Sequence, residues 1–241
     1  PFEKDINAIT LTPGLDHLYV ATKDGVLLDY SLHEEGFDSE ASEYRFKHEI
    51  SRIKLLLGGS SLMVGLANGE VQQWMSVRKE GGRELTFIRN FHENKQAITS
   101  IATEQQRKGF AVADTLGDIT LYYSTSQRTL TSINTANVTI EQMAWSARAQ
   151  HLVVADSTNQ LRLYKVHKEY PEVSWDVLWG KIWYEGYDEA DYIWQSSAST
   201  NEFEPKFSLM PLSFGTIKAA FYAMLFAVPL AIFGAMFTAQ F

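Results

Sequence analysis

The sequence predicts an all-β body of repeated four-stranded units, followed by a connector and one transmembrane α-helix. Three observations predict it. A 25-residue motif recurs four times without a gap, a Gly or Asn stands at one fixed position of every copy, and the last 23 residues carry no charge. Composition sets the frame: 45% hydrophobic and 21% charged residues suit a folded chain rather than a disordered one. A net charge of −8 argues against a nucleic-acid-binding surface. With no cysteine, disulfide frameworks, thiolate metal sites and cysteine nucleophiles are excluded. The chain opens at Pro1 with neither an initiator Met nor a signal-like segment, so it reads as a fragment of a longer chain.

The four copies begin at Ile6, Ile50, Ile98 and Ile140, spaced by 44, 48 and 42 residues. Nineteen residues after each Ile stand Gly25, Gly69, Gly117 and Asn159, and twenty-four after it stand Tyr30, Trp74, Tyr122 and Tyr164. Gly or Asn supplies the positive φ of a tight hairpin, and Asp24-Gly25 and Asn68-Gly69 are strong hairpin pairs. A short apolar strand precedes each turn (HLYVAT, LMVGLA, GFAVAD, HLVVAD), and an alternating strand closed by the aromatic residue follows it. The spacers EYRFKHE (43–49), ELTFIRNF (84–91) and TLTSINT (129–135) supply a fourth strand. Four antiparallel strands every 42–48 residues describe the blade of a β-propeller, here over residues 1–170. A β-sandwich with irregular spacing is the alternative.

The pattern resembles the WD-repeat family. Tyr30, Trp74, Tyr122 and Tyr164 stand where that family has its Trp, but no copy carries the Trp-Asp pair or a well-placed Gly-His pair. The aromatics are expected to pack between sheets rather than to line a ligand site. Propellers have roughly 4–8 blades. The lead PFEKD reads as the tail of an outer strand, so a larger ring is expected, with further blades upstream and an open arc of exposed edges.

Residues 171–208 form an acidic, aromatic connector. Between 169 and 205 stand nine carboxylates, one Lys and four of the six Trp residues, Trp175, Trp179, Trp183 and Trp194. EVSWDVLW alternates as an outer strand would, yet its Trp spacing allows a helix equally. Trp and Tyr favour the membrane interface, which is where this connector is expected. Asp188, Glu189 and Asp191 lack the ligand spacing and Gly of a calcium loop and read as a solvated acidic face. Residues 219–241 span ~34 Å as a helix, enough to cross a hydrocarbon core of ~30 Å.

The stretch WGKIWYEGYDEADYIWQSS, with FSLMP (207–211), FGT (214–216) and FAVPL (226–230), resembles the inner-membrane permease of phosphate-type ABC importers. The resemblance implies that residues 209–241 begin the permease's transmembrane domain. It also implies that the blades are an insertion between two membrane spans, with residues 1–208 periplasmic at the bacterial inner membrane. Its implied partners are an ABC ATPase subunit, a second permease subunit, a periplasmic phosphate-binding protein and the lipid bilayer. The function expected is therefore phosphate import, the propeller acting as a binding or regulatory module. The alternative is a membrane-anchored periplasmic propeller that scaffolds protein–protein contacts without transport.

An enzyme is not expected. The chain has no phosphate-cradling glycine loop, zinc-protease helix or serine elbow. His17 and His151 open equivalent strands and read as repeat features, while Asp114 and Asp156 precede equivalent turns and read as turn caps. No catalytic, cofactor, metal or substrate-binding residue is assigned, no cofactor is expected, and acidity disfavours capture of bare phosphate by the propeller surface.

Overall fold

A computed structural model describes residues 5–33, 36–38, 40–80, 82–135, 137–167, 169–197 and 204–240. Apart from Asp5, the lead PFEKD lies outside these residues.

Each copy of the motif forms one antiparallel sheet. The first blade comprises β1 (Ile6–Leu11), β2 (His17–Thr22), β3 (Val26–His33), a short β4 (Gly36–Phe37) hairpinned onto β3, and β5 (Ser42–Arg45), which pairs with β3 as the outer strand. The second runs in order through β6 (Ile50–Leu55), β7 (Ser61–Leu66), β8 (Val71–Lys79) and β9 (Gly82–Phe91). The third has β10 (Ile98–Thr103), β11 (Gly109–Asp114), β12 (Asp118–Tyr123) and β13 (Arg128–Asn134). The fourth has three strands, β14 (Ile140–Trp145), β15 (His151–Asp156) and β16 (Leu161–Lys165). Of the two conformations open to EVSWDVLW, the helical one forms: α1 (Trp175–Trp179) is capped by Ser174, whose side chain accepts from Val177 N. The hairpin β17 (Trp194–Gln195) with β18 (Lys206–Phe207) leads into α2 (Met210–Gln240).

The hairpin glycines sit where the turn chemistry requires. Gly25, Gly69 and Gly117 have φ of 77°, 89° and 81°, and Asn159 has 60°. At Gly69 space matters as much as φ, since a Cβ there would lie 2.5 Å from Asn94 O. Asp114 Oδ1 accepts from Leu116 N and Asp118 N, and Asp156 Oδ1 accepts from Thr158 N and Gln160 N, so both carboxylates cap their turns. The innermost strand of every blade also slips register at one equivalent place, between Ile6/Ala8, Ile50/Arg52, Ile98/Ser100 and Ile140/Gln142. Such bulges increase strand twist.

The core lies between blades. In β7, Leu62, Val64 and Leu66 pack with Leu27 of blade one, while the alternate Met63 packs with Phe110 and Val112 of blade three. In β11, Ala111 and Ala113 face the other way, onto Ile140, Leu152 and Val154 of blade four. Burial on both faces explains why these middle strands are apolar throughout instead of alternating. Trp74 packs among Tyr44, Phe46 and Phe87, and Tyr122 stacks on Phe110 beside Phe91, so these two closing aromatics fill gaps between sheets, whereas Tyr30 packs on Val20, Val26 and Leu28 of its own blade. Among the described residues, blade contacts join β1 to β6, β6 to β10 and β10 to β14, and no comparable contact joins β14 to β1. Beyond blade four, α2 leaves the body: none of its 31 residues is buried. It is long and apolar enough to cross a membrane.

Candidate functional site

Where the connector returns onto blades two and three, the chain buries several charges together. β9 contributes Arg89, the loop before β11 contributes Lys108, and the β12–β13 turn contributes Ser124, Thr125 and Ser126. Arg89 Nη1 donates to Ser124 O (3.0 Å) and Thr125 O (2.7 Å), and its Nη2 donates to Trp183 O of the connector (2.7 Å). One guanidinium thereby clamps two blades and the connector. Lys108 Nζ donates to Leu57 O (2.6 Å) and pairs with Glu185 at 2.5 Å. Thr125 Oγ1 donates to Glu204, Ser126 Oγ donates to Pro171 O (2.7 Å), and Arg128 Nη1 donates to Tyr170 O and Val173 O. Gln73 extends the network inward, donating to Ser61 Oγ and accepting from Ser124 Oγ.

The connector also carries a small core of its own, in which Val177, Ile182 and Tyr184 pack against Ile193 and Phe207. Lys206 Nζ lies 5.5 Å from the Tyr184 ring centroid and 5.7 Å from that of Tyr187. Cations over aromatic faces in a half-desolvated setting are attractive.

Burial dominates the electrostatics of this seam. It pulls the Arg89 pKa down to about 10, opposed by Glu204, which leaves the guanidinium charged at neutral pH. Glu204 is half-buried, and desolvation pushes its pKa up to about 7, against the pull of Lys108 and Arg89. Lys206 is lowered by the same desolvation. Among the described residues, Arg89 Nε and Glu185 Oε1 are buried without a hydrogen-bond partner. A buried ionic cluster of this kind specifies one docked arrangement, because losing any member strands its neighbours. A cavity of about 210 Å³ opens beside it, lined by Arg107, Lys108, Tyr123, Glu172 and Glu204 among others.

The residues singled out in the sequence lie elsewhere. His17 Nδ1 is 2.8 Å from Asp29 Oδ1, a bond that raises the histidine's pKa, beside a cavity of about 170 Å³ that Arg83 and Ser76 also line. His151 occupies the equivalent place on β15. Asp188, Glu189 and Asp191 are exposed. Among the described residues, no three His, Asp or Glu side chains converge on a point where a metal would sit. Sequence reasoning missed the seam itself. The register of β8 on β9 slips between Gln73 and Trp74, so simple alternation does not carry through to Arg89. The available signal was the pair of cations Arg107-Lys108 ahead of the apolar run GFAVA, with a connector rich in carboxylates further along the chain.

Comparison with known proteins places the fold. No family model matches the chain, and no curated protein matches it. Among solved structures it is similar to the β-propeller domain of Cps50 (Swd1) from Myceliophteria thermophila, at 13% identity and a TM-score of 0.57, covering 67% of this chain and 54% of that one. It is also similar to the WD40 repeats of RRP9, at 11% identity and a TM-score of 0.58, covering 69% and 49% respectively. The chain thus spans about half the length of these two propellers. The described residues of its body form four blades of a WD40-like β-propeller. The C-terminal helix is one that such a body does not need for its own packing, since no blade covers it.

Proposed function

We propose that this protein is a membrane-anchored propeller that scaffolds contacts with other proteins and catalyses no reaction. The observation that carries this reading is the junction of a WD40-like body to a 31-residue apolar helix with no buried residue. In water such a helix exposes Phe, Leu and Ile on every side, whereas in lipid its backbone is satisfied internally and its side chains match the solvent. Propeller folds host many functions, so the role rests on the surfaces and the anchor rather than on the fold alone. Blade four leaves Leu161 and Leu163 largely exposed, an apolar surface that suits a protein better than a small molecule. The test is flotation of the full chain with phosphatidylcholine vesicles, followed by capture of partners by the vesicle-bound chain. Leu225→Asp, placed mid-helix, costs ~2.5–3.5 kcal/mol on the insertion scale and is expected to weaken flotation. Unchanged flotation of this variant would remove the anchor from the reading.

A second, finer reading is supported by the resemblance of FSLMP (207–211), FGT (214–216) and FAVPL (226–230) to the permease of phosphate-type ABC importers. On this reading α2 is a core helix of a transport domain at the bacterial inner membrane. Residues 1–208 are then periplasmic, and the partners are an ATPase subunit, a second permease subunit and the phosphate-binding protein. Gly215, Pro229 and Gly234 suit a helix that packs among others in a membrane bundle. Phosphate uptake by cells with and without the gene decides it: equal uptake leaves the scaffold standing alone.

A further inference from the structure

We infer that α1 and the β17–β18 hairpin form an aromatic foot, in which Trp175, Trp179 and Trp194 seat the propeller in the zwitterionic headgroup layer beside the point where α2 enters the bilayer. This deepens the anchored reading and rests on it.

The argument starts from exposure. Trp175 is 79% exposed, Trp179 44% and Trp194 41%, whereas Trp145, inside the blades, is 8%. Three large amphipathic rings left in water on one connector are unusual, since Trp normally buries most of its area. Nor are they merely unpacked. Val177, between two of them, is 1% exposed and holds α1 onto the connector's small core, so the outward presentation of its Trp residues is fixed by the packing behind them.

Position supplies the occupant. Leu209 N donates to Leu178 O at 2.8 Å, which ties the last turn of α1 to the residue preceding α2. Trp194 sits on β17, edge-on to Phe207 of β18 at 5.9 Å between centroids, three residues before α2 begins. Trp179, next to Leu178, and Trp194, against Phe207, therefore stand beside the start of α2, with Trp175 one turn of α1 away. A 31-residue helix is ~46 Å long, close to the full bilayer thickness of ~40–45 Å including headgroups. Its first turn then falls within the headgroup layer, and whatever is level with that turn falls there too. Indole rings, apolar in body and with one N–H donor, are the side chains best suited to that layer.

Charge selects the lipid class. Asp176 lies between the two Trp residues of α1, and Asp188, Glu189 and Asp191 are exposed on the same connector, against a single exposed Lys181. A foot of this sign is repelled by anionic lipid surfaces and fits zwitterionic headgroups.

The test uses the full chain in phosphatidylcholine vesicles, with part of the lipid brominated either just below the headgroup or deep in the acyl chains. Shallow bromine is expected to quench the wild-type tryptophan fluorescence more strongly than deep bromine. The double variant W175F/W179F is expected to lose most of that shallow quenching while keeping the same melting temperature, because neither ring is part of a core. Replacing part of the phosphatidylcholine by phosphatidylserine is expected to reduce the quenching. Two results overturn the inference while sparing the anchor: vesicles that float with the chain but quench wild type and variant alike, or quenching that strengthens with anionic lipid. A chain that does not float overturns both.

Discussion

Blades two and four are built from the same 25-residue motif, yet they differ in what surrounds them. In blade two every residue of the middle strand β7 is buried, because Leu62, Val64 and Leu66 meet blade one while Met63 meets blade three. In blade four only alternate residues of β15 are buried: Leu152 and Val154 meet blade three, but Val153 is 39% exposed, and Leu161 and Leu163 on β16 are more exposed still. The motif thus specifies the strands and turns of one sheet, whereas burial of the second face is conferred by the neighbouring blade. What occupies the seam confirms the lesson. The connector leaves blade four and docks on blades two and three, where Arg89 and Lys108 hold it.

Four experiments break or sharpen this contrast. The largest effect is expected at the seam. Arg89→Ala removes a buried cation that bridges Ser124, Thr125 and Trp183, and it leaves Glu204 facing fewer positive charges; the expected cost is about 3–5 kcal/mol. Thermal unfolding measures it, and limited proteolysis within residues 171–208 should show the connector released. Next comes Gly69→Val in blade two, where a positive φ and a carbonyl 2.5 Å from the new Cβ combine. About 2–4 kcal/mol of stability is expected to go, read as a lowered midpoint in urea. An unchanged midpoint would mean that the turn tolerates a β-branched residue.

The third experiment concerns pH. The pKa of Glu204 lies above the 4.5 of a free side chain, so its proton favours the docked seam. The gain is complete below pH 4.5 and is lost as pH rises through about 7. Stability of the seam is expected to fall by roughly 1 kcal/mol across the two pH units centred there. Glu204→Gln, which keeps the hydrogen-bonding capacity without the charge, should flatten that slope; a slope that survives the substitution assigns it to another group. The smallest effect is expected from Asn159→Gly, at the blade-four position equivalent to Gly69. With φ of 60° the turn already accommodates glycine, and a change within about 0.5 kcal/mol is expected in the same urea titration. A large loss would show that the Asn159 side chain does more than fill the turn.

Much of this was legible in the sequence because local chemistry carried it. The turn positions, the paired Ile starts and the apolar middle strands needed only φ preferences and period-2 patterning, and each of the three proposed outer strands lies where EYRFKHE, ELTFIRNF and TLTSINT stand. The equivalent register slips in β1, β6, β10 and β14 were not legible, since a bulge leaves no mark in residue type. The seam was not legible either. Arg89 to Trp183 is a contact across 94 residues, and nothing local to an arginine in a strand says which carbonyls will receive it. The segment EVSWDVLW fitted both periodicities, and Ser174 as an N-cap settled it in favour of helix.

The hydrogen bond from Leu209 to Leu178 has a mechanical consequence. A helix joined to a domain by a slack tether swivels independently of it. Here the first turn of α2 is fastened to α1, α1 to the connector's small core, and the connector to blades two and three by Arg89 and Lys108. Load applied at the propeller rim is delivered to the helix as torque, through a short crank whose bearings are ionic and buried. A rotation of the blades is therefore expected to reach α2 as a change of tilt, and a change of helix tilt to reach the blades.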